Sequence, residues 1–365
     1  MKSHIWVFPG AIGPELESIW ESPPEGLKCL AELGEVVRLA PTGQCFESDL
    51  VGLPEDVYVP KGPLIVSAFG WEPPRKSVHF ELTLLSVGTD GLLERVGSLT
   101  KKESRALAEQ FPRLATRKLT PKWGEQLTHG LVWEDGSLEL GCHSPSDAVG
   151  QLWTKNQPEG DGEYMLRALI DDSLNLLDGL ELNRRREDEG KPKANLLWPH
   201  SFGFRPDLPY LPLHRGEIFY YFSDQIGIEG MTQLVGYEHC NRQALRRGIH
   251  LDYSLLKVNL FDPGGFVIAD DQLGTMLEVG RGEEARYAIE KLEEKIWELF
   301  ALDLSEGADN HGAILCPGVR GEPGMGLIFG NKKMGDGIPF DVRAWDDRRL
   351  RNLRFSEVMA NLLGG

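Results

Sequence analysis

The sequence predicts an α/β protein with a mainly parallel core sheet and an inserted α+β domain. Beyond Asn183, short apolar segments alternate with helical ones, an order that favours a parallel sheet covered on both faces. Residues 4–8 are almost entirely apolar and end at Pro9-Gly10, which predicts a buried first strand. Between residues 63 and 182 the pattern changes to paired strands around Asp-Gly turns, which is typical of an α+β unit.

The length of the chain predicts two domains. A chain of 365 residues exceeds what a single hydrophobic core usually supports. The composition shift near residue 62 and the return of strand–helix alternation at residue 183 set the boundaries. We expect a discontinuous core domain at 1–62 and 183–365, with an inserted cap domain at 63–182.

Individual elements follow from hydrophobic periodicity and from punctuation by Gly and Pro. Thr100 and Glu103 have the spacing of a capping box, which predicts a helix starting there. Strands are expected at 4–8, 64–69, 78–87, 130–133, 138–142, 217–223, 257–261, 265–270, 313–316 and 326–329. Helices are expected at 27–33, 101–111, 164–177 and 283–300.

Composition excludes several classes of partner. The formal net charge of −17 opposes binding to nucleic acid or to an anionic membrane surface. No apolar stretch approaches the roughly 20 residues of a spanning helix, and the N-terminal apolar run is too short for a secretory signal. The five cysteines include no C-x-x-C pair, so neither a disulfide framework nor a zinc knuckle is expected. We therefore predict a cytoplasmic protein.

The stretch at 183–212 concentrates positive charge in an acidic chain. It contains Arg184, Arg185 and Arg186, then Lys191 and Lys193, and then Asn195 and Trp198 before a segment rich in Gly and Pro. Such a cluster favours the binding of a small anion. The alternative interpretation is a solvated turn between a helix and a strand.

The order of residues in this stretch resembles the archaeal-type cofactor-independent phosphoglycerate mutases of the alkaline-phosphatase superfamily. Other segments resemble the same family in the same order, namely MKSHIWVFPG at the N-terminus, Gly62-Pro63-Leu64, residues 142–150, 227–231 and 288–290, and the C-terminal segment. The resemblance implies an alkaline-phosphatase-like core with an inserted cap. It also implies transfer of phosphate between the 3- and 2-hydroxyls of glycerate, with two divalent metals and a phosphorylated serine.

Several positions depart from the family pattern. Pro9 stands where the family has an aspartate ligand, and Cys45 follows Thr42-Gly43-Gln44 where the family has its serine. Ser48 and Asp49 come a few residues later. Further on, Ala269, Gly274 and Glu278 occupy positions of family ligands, which leaves Asp309 and His311 as candidate metal ligands together with Asp49.

Three functional interpretations follow. In the first, the chain keeps the scaffold, needs no cofactor, and binds a small phosphorylated ligand or a protein partner. The ligand contacts implied by the resemblance and by the cationic stretch are His143, Asp147, Arg184, Lys191 and Asn195.

In the second interpretation, the chain is an active mutase or phosphatase that depends on Mn, Zn, Co or Mg. Ser48 would be its nucleophile, and Asp49, Asp309 and His311 its metal ligands. The third is a hydrolase that uses Cys45 as its nucleophile.

Overall fold

The computed structural model describes residues 2–11, 25–42, 45–54, 56–72, 74, 76–240, 246–247, 250–251, 264–278, 281–305, 310–318, 322–330 and 347–364. The chain divides into two compact units. The first comprises Met1–Tyr58 and Leu208–Gly365, and the second comprises Val59–Asp207.

The strands, in chain order, are β1 Lys2–Val7, β2 Gly34–Leu39, β3 Ser77–Val87, β4 Leu93–Arg95, β5 Leu119–Glu125, β6 Thr128–Glu134, β7 Leu140–Gly141, β8 Glu159–Gly160, β9 Leu196–Phe204, β10 Ile218–Ser223, β11 Glu238–Cys240, β12 Arg246–Arg247, β13 His250–Leu251, β14 Gly264–Ala269, β15 Asn310–Cys316, β16 Gly324–Gly330 and β17 Arg351–Leu353. The helices are α1 Glu25–Glu32, α2 Phe46–Leu50, α3 Lys61–Ala68, α4 Lys101–Ala108, α5 Pro145–Ala148, α6 Glu163–Leu177, α7 Glu181–Asp188, α8 Leu211–Arg215, α9 Ile226–Val235, α10 Gln272–Glu278, α11 Gly282–Ser305 and α12 Phe355–Leu362, with 3-10 turns at Phe111–Leu114 and Trp153–Lys155.

The first unit is built around a sheet with strand order β11-β10-β14-β1-β15-β16-β2-β17. Strands β11, β10, β14, β1 and β15 run parallel to one another, and β2 runs parallel to β17. Only β16 in this order is antiparallel to its neighbours. Parallel neighbours require crossover connections, which are usually helical. The unit is therefore a mixed α/β structure, as the alternation of strands and helices predicts.

Strand β1 lies inside the sheet, and both of its faces are buried. Its residues from Ser3 to Val7 are buried, as expected in a parallel sheet covered on both sides. Trp6 packs edge-on against Phe266 of β14, with ring centroids 5.4 Å apart. Ser3 Oγ donates a hydrogen bond of 3.0 Å to the carbonyl of Leu362. These contacts fix β1 against its neighbour β14 and against α12.

The second unit contains a five-stranded antiparallel sheet with β3 at its centre. Strand β3 pairs with β6 on one side and β9 on the other, and β5 extends the sheet beyond β6. Since side chains alternate along a strand, Val78, Phe80, Leu82 and Leu84 point into one apolar core. The opposite face carries the odd-numbered residues of β3.

Helix α3 covers the odd-numbered face of β3. Gly130 of β6 pairs with Glu81 of β3, so the two residues share a face of the antiparallel sheet. A Cβ on Gly130 would lie 3.2 Å from Cγ2 of Val66 in α3. The odd-numbered side chains of β3 therefore lie on the side where this helix packs.

The strand predicted at 64–69 is wrong, because these residues lie in helix α3 and the turn after it. Leu64, Ile65 and Val66 are all buried, and a short continuous apolar run fits a buried helix and a buried strand equally well. Pro63 is tolerated because it lies in the first helical turn, where no backbone N–H is needed for the helix. The strand predicted at 257–261 lies outside the described residues.

The arginines of the stretch that begins at Asn183 lie on helix α7, and not in the solvated turn of the alternative interpretation. Strand β9, which follows, pairs with β3, so that Leu197 lies opposite Leu84. The second unit therefore extends to Asp207, whereas the sequence pattern placed the boundary at 182. Antiparallel pairing of distant segments leaves no local signal that could mark this boundary.

Among the described residues, no helix has the length and apolar character needed to cross a membrane.

Candidate functional site

The carboxyl ends of β1, β10 and β14 meet at one edge of the core sheet, which is where open α/β sheets usually bind ligands. Asp270 follows β14 and is 4% exposed. Gln272 donates its backbone N–H to Asp270 Oδ1 at 2.9 Å and its Nε2 to Asp224 Oδ2, after β10, at 3.3 Å. This edge therefore holds a hydrogen-bonded group of two carboxylates and one amide.

The turn after β1 cannot supply a metal ligand from its proline. Pro9 has no side-chain donor atom, and the Gly10 N–H that follows donates to the Pro317 carbonyl at 2.9 Å. Gly274 of α10 lies directly against this turn, because a Cβ there would be 2.3 Å from the Pro9 oxygen. The strand end is thus closed by backbone contacts and carries no side-chain donor.

The donors among the described residues do not make up a site for a pair of divalent ions. Two such ions need about six protein ligands between them. The described part of the chain contains no group of three or more His, Cys, Asp or Glu side chains placed to hold even one ion. Of the predicted ligands, Asp309 lies outside the described residues. His311 is described through its backbone, which pairs with Ser3 and Gly330.

Helix α2 carries the predicted nucleophile and one predicted ligand. Both Ser48 and Asp49 are buried, with exposures of 2% and 3%. Ser48 Oγ makes no hydrogen bond of ordinary geometry within the described residues. Ser48 and Asp49 are therefore consecutive buried residues of one short helix.

Cys45 precedes this turn and occupies the N-cap position of α2. Its Sγ donates to Glu47 Oε2 at 3.4 Å. Burial and the negative charge of Glu47 raise the pKa of the Cys45 thiol. Because the thiolate is the nucleophilic form, the environment of Cys45 disfavours nucleophilic chemistry. Gly227 lies next to the same carboxylate, since a Cβ there would be 2.5 Å from Glu47 Oε1.

In the second unit, the side chain of Asn195 is fully buried and hydrogen-bonded within the protein. Its Oδ1 accepts from the Val87 N–H at 2.8 Å, and its Nδ2 donates to the Val87 carbonyl at 3.2 Å and to Asp178 Oδ1 at 2.9 Å. The amide thus continues the pairing of β3 beyond the end of β9. The Asn195 side chain therefore bonds to the Val87 backbone in the way that a paired strand residue would.

The cations of the same stretch divide into exposed and buried members. Arg184 is exposed on α7, and Lys191 pairs with Glu189 at 2.6 Å on the surface. Arg186, by contrast, is 3% exposed and donates to the carbonyls of Pro192 and Val96 at 2.7 Å each. The sequence pattern did not distinguish the buried Arg186 from its two exposed neighbours, Arg184 and Arg185.

His143 and Asp147 lie on the surface around α5. Ser144 caps this helix, and Ser144 Oγ donates to Asp147 Oδ2 at 2.7 Å. His143 presents its side chain to solvent, while its carbonyl accepts from Trp198 Nε1 at 2.8 Å. No described contact joins these two side chains to Arg184, Lys191 or Asn195.

The second unit also contains a polar cluster that the sequence analysis did not identify. His200 of β9 is hydrogen-bonded through Nε2 to Thr83 Oγ1 at 2.8 Å and through Nδ1 to Ser201 Oγ at 2.7 Å. Glu81 Oε2 lies 3.8 Å from the same Nδ1. Burial, with Lys61 nearby, lowers the pKa of His200 to about 4.

His79 is the second histidine of this cluster and lies two residues from Glu81 on β3. It is 2% exposed, and within the described part of the chain neither ring nitrogen has a hydrogen-bond partner. Burial, together with the charge of Arg205, lowers the pKa of His79 to about 4. The available sequence signal was a polar residue repeated at every second position, His79-x-Glu81-x-Thr83, in an otherwise apolar strand.

Comparison with known proteins gives matches to one family at low identity. No family model matches the chain. The chain is 27% identical over 194 residues to a probable 2,3-bisphosphoglycerate-independent phosphoglycerate mutase of Geobacter sulfurreducens, with 49% of each protein covered. It is 25% identical over 195 residues to the enzyme of that name from Methanothrix thermoacetophila, covering 49% of this chain and 48% of the relative.

Two solved structures share the fold over the whole chain. One, a protein from Pyrococcus horikoshii, superposes with a TM-score of 0.74 at 14% identity and covers 99% of this chain and 97% of its own. The other is the cofactor-independent phosphoglycerate mutase of Thermoplasma acidophilum, with a TM-score of 0.67, 19% identity and complete coverage of both chains.

The sequence matches are partial, since the chain spans about half the length of the curated relatives it matches. The structural similarity extends over both units and over the complete phosphoglycerate mutase of Thermoplasma acidophilum. The chain is thus similar in sequence, over about half of its length, to 2,3-bisphosphoglycerate-independent phosphoglycerate mutases, and it shares its fold with the enzyme of Thermoplasma acidophilum.

Proposed function

We propose that this chain is a phosphoglycerate-mutase-like protein that has lost two-metal phosphoryl transfer and acts by binding. The observation that carries the proposal is Pro9, which stands at the end of β1 where the family resemblance calls for an aspartate ligand. A two-metal mechanism needs carboxylates and imidazoles that neutralise the phosphoryl oxygens and activate the nucleophile. A proline in this place removes a ligand that such chemistry needs, and Gly274 packs directly against the same turn.

The position of the nucleophile supports the same proposal. Cys45 stands where the resemblance predicts the serine, and its thiol donates to Glu47 instead of facing a cation. A neighbouring carboxylate favours the neutral thiol, which is a poor nucleophile and a poor metal ligand. Ser48, the alternative nucleophile, is buried within α2.

The proposed ligand is a small phosphorylated anion, with the second unit acting as the family's cap. His143, Asp147, Arg184, Lys191 and Asn195 are the proposed contacts. The side chains of Arg184 and His143 are exposed and make no hydrogen bond or ion pair within the described residues. A protein partner is the other form of binding consistent with a lost active site. Nucleic acid and membranes are not proposed partners because the net charge is −17. The unpaired cysteines fit a cytoplasmic location.

Metal analysis paired with a mutase assay tests the proposal. The protein, purified without chelators, is analysed for bound metal by mass spectrometry. It is then assayed with 3-phosphoglycerate in the presence of Mn, Zn, Co or Mg. We expect no stoichiometric metal and no formation of 2-phosphoglycerate, and we expect thermal stabilisation by 3-phosphoglycerate that glycerate does not reproduce.

A different outcome would favour the catalytic interpretation. Turnover that requires metal, is abolished by Ser48→Ala or Asp49→Asn and is retained by the exposed control Ser146→Ala would contradict the loss of chemistry. It would assign catalysis to Ser48 with Asp49, Asp309 and His311.

A further inference from the structure

Ser201 has a strained backbone conformation inside strand β9. Its φ angle is +49°, in the left-handed region that residues other than glycine rarely adopt. Among the described residues, the other non-glycine positions with positive φ are Gln126 and Asp135, and both lie in turns beside β6. Ser201 alone of the three belongs to a strand. Such conformations cost free energy and are found most often where a function retains them.

The strained residue coincides with a β-bulge in the pairing of β9 with β3. On β3 a single residue separates the partners of His200 and Gly203, whereas on β9 two residues, Ser201 and Phe202, lie between them. Bulges redirect side chains and are over-represented next to active sites. Here the Ser201 hydroxyl meets the ring of the preceding residue, with Oγ 2.7 Å from His200 Nδ1.

The contacts of His200 indicate a ring that can accept a proton from Ser201. A neutral imidazole has one N–H donor and one acceptor nitrogen, and Nε2 lies 2.8 Å from Thr83 Oγ1. An N–H at Nδ1 would draw a nearby carboxylate to about 2.7–2.9 Å, but Glu81 Oε2 is 3.8 Å away. The N–H therefore lies on Nε2 and donates to Thr83, so Nδ1 accepts from the Ser201 hydroxyl.

The exposure of these groups suits a nucleophile with a buried base. Ser201 is partly exposed, whereas the side chains of His200 and Glu81 are 7% and 16% exposed. Burial, with Lys61 nearby, lowers the pKa of His200 to about 4, so at pH 7 the ring is in the neutral form that a general base requires. The carboxylate of Glu81 stabilises the imidazolium that forms when Ser201 loses its proton.

We propose that Ser201 is a nucleophile, with His200 as its general base, and that uncharged carboxylic esters acylate it. A serine, an imidazole and a carboxylate are the groups of acyl-transfer catalysis, and this combination recurs on unrelated folds. The negative charge of Glu81 opposes the approach of an anionic ester to the same hydroxyl. The site lies within the second unit, shares no residue with the proposed anion contacts and does not depend on the function proposed above.

The proposed reaction has two halves. In the first, the Ser201 hydroxyl proton moves to His200 Nδ1 while Oγ bonds to the carbonyl carbon of the ester. The bond from that carbon to the alcohol oxygen then breaks, and the alcohol leaves with the proton from Nδ1. In the second half, water gives a proton to Nδ1 and attacks the acyl group, and Ser201 regains its proton as the carboxylic acid departs.

The test is acylation of the full-length protein by p-nitrophenyl acetate at pH 7.5. Release of nitrophenolate gives the rate, and peptide mass spectrometry locates the acetyl group. We expect acetyl-Ser201, whether it accumulates or is hydrolysed in turn. His200→Gln slows acetylation of Ser201 by about a hundredfold, the low end of what a positioned general base supplies. Ser146→Ala, at an exposed serine, does not change the rate.

Ser201→Gly separates lost chemistry from lost folding. Glycine adopts positive φ without strain, so the variant is expected to unfold in urea at the same midpoint as the unmodified protein or above it, while the fast phase of nitrophenolate release disappears. An alkyl fluorophosphonate is a second probe, because an activated serine displaces its fluoride and retains the phosphonyl group.

The proposal is overturned if neither probe modifies Ser201. It is also overturned if Ser201→Gly releases nitrophenolate as fast as the unmodified protein, or if His200→Gln leaves the acetylation of Ser201 unchanged. In each of these cases the hydrogen bond between Ser201 and His200 serves only to stabilise the bulge. Since neither metal nor phosphoglycerate enters the measurement, its outcome is independent of the mutase assay.

Discussion

Arg186 and Glu103 form a largely buried ion pair in the second unit. Arg186 Nη1 lies 2.8 Å from Glu103 Oε1, and the two side chains are 4% and 19% exposed. Glu103 is also the acid of the capping box that starts α4, where it accepts from the Thr100 N–H at 2.7 Å. The pair thus joins α7, in the cationic stretch, to the start of a helix about 80 residues earlier in the chain.

Replacement of Arg186 by glutamine is expected to destabilise the second unit. The substitution leaves Glu103 without its cation and the Val96 and Pro192 carbonyls without a donor. Removing one partner of a buried pair typically costs about 3 kcal/mol or more. Urea unfolding followed by tryptophan fluorescence measures the loss.

The control is Arg185→Gln, which removes an exposed arginine paired with Glu181 in the same helix. Exposed pairs of this kind contribute about 0.5 kcal/mol or less. Equal destabilisation by the two variants would contradict a structural role specific to Arg186.

Asn195 is expected to stabilise the folded protein, independently of any ligand that the protein binds. Asn195→Ala removes two buried hydrogen bonds with Val87 and one partly buried hydrogen bond with Asp178. Leaving the Val87 groups unpaired predicts a loss of roughly 2–4 kcal/mol in the free energy of unfolding. Denaturant unfolding measures it, with the exposed helical Asn175→Ala as the neutral control. A stable Asn195→Ala protein with impaired ligand binding would instead indicate a direct contact.

The sequence predicted elements well where the signal is local. The capping box at Thr100 and Glu103 is formed with both reciprocal hydrogen bonds, because its geometry needs only four consecutive residues. The helix predicted at 164–177 is α6, since its apolar residues recur at helical spacing. By contrast, the apolar run at 64–69 has no periodicity, and only packing on a sheet from another part of the chain decides that it is helical.

The candidate site was harder to predict because its members are distant in sequence. The sequence indicated that positive charge is concentrated at 184–193, but it did not show that Arg186 alone turns inward to meet Glu103. His79 and Gly203 are separated by most of the second unit and become neighbours when β3 pairs with β9. The sequence of a strand does not show whether the ring nitrogens of a histidine find partners, since that depends on the tertiary contacts of the face on which the ring lies.

The stability of the protein is expected to fall below about pH 6.5 partly because of His79. Its pKa is about 4 in the folded protein, against about 6.5 in an unfolded chain. A depressed histidine pKa means that the folded state resists protonation. The contribution is fully present above pH 6.5 and is lost progressively as the pH falls towards 4. From this difference the loss for His79 is roughly 3 kcal/mol.

His79→Leu isolates this contribution. The variant replaces an unpartnered polar ring with an apolar side chain, so at pH 7 its stability is expected to equal or exceed that of the unmodified protein. Its unfolding midpoint in urea changes less between pH 7 and pH 4.5. Parallel pH profiles for the His79→Leu variant and the unmodified protein would contradict the assignment.

Cys45 is expected to react slowly with alkylating reagents because Glu47 and burial keep its thiol protonated. Its pKa is raised, and the rate of alkylation follows the fraction of thiolate. Glu47→Gln removes the nearby negative charge, so the pKa falls and alkylation by iodoacetamide at pH 7.5 accelerates severalfold.

Peptide mass spectrometry measures the alkylation of each cysteine separately. Cys142, whose pKa is raised to about 12 by burial, provides an internal reference that Glu47→Gln does not change. Rapid alkylation of Cys45 in the unmodified protein, unaffected by Glu47→Gln, would restore Cys45 as a candidate nucleophile.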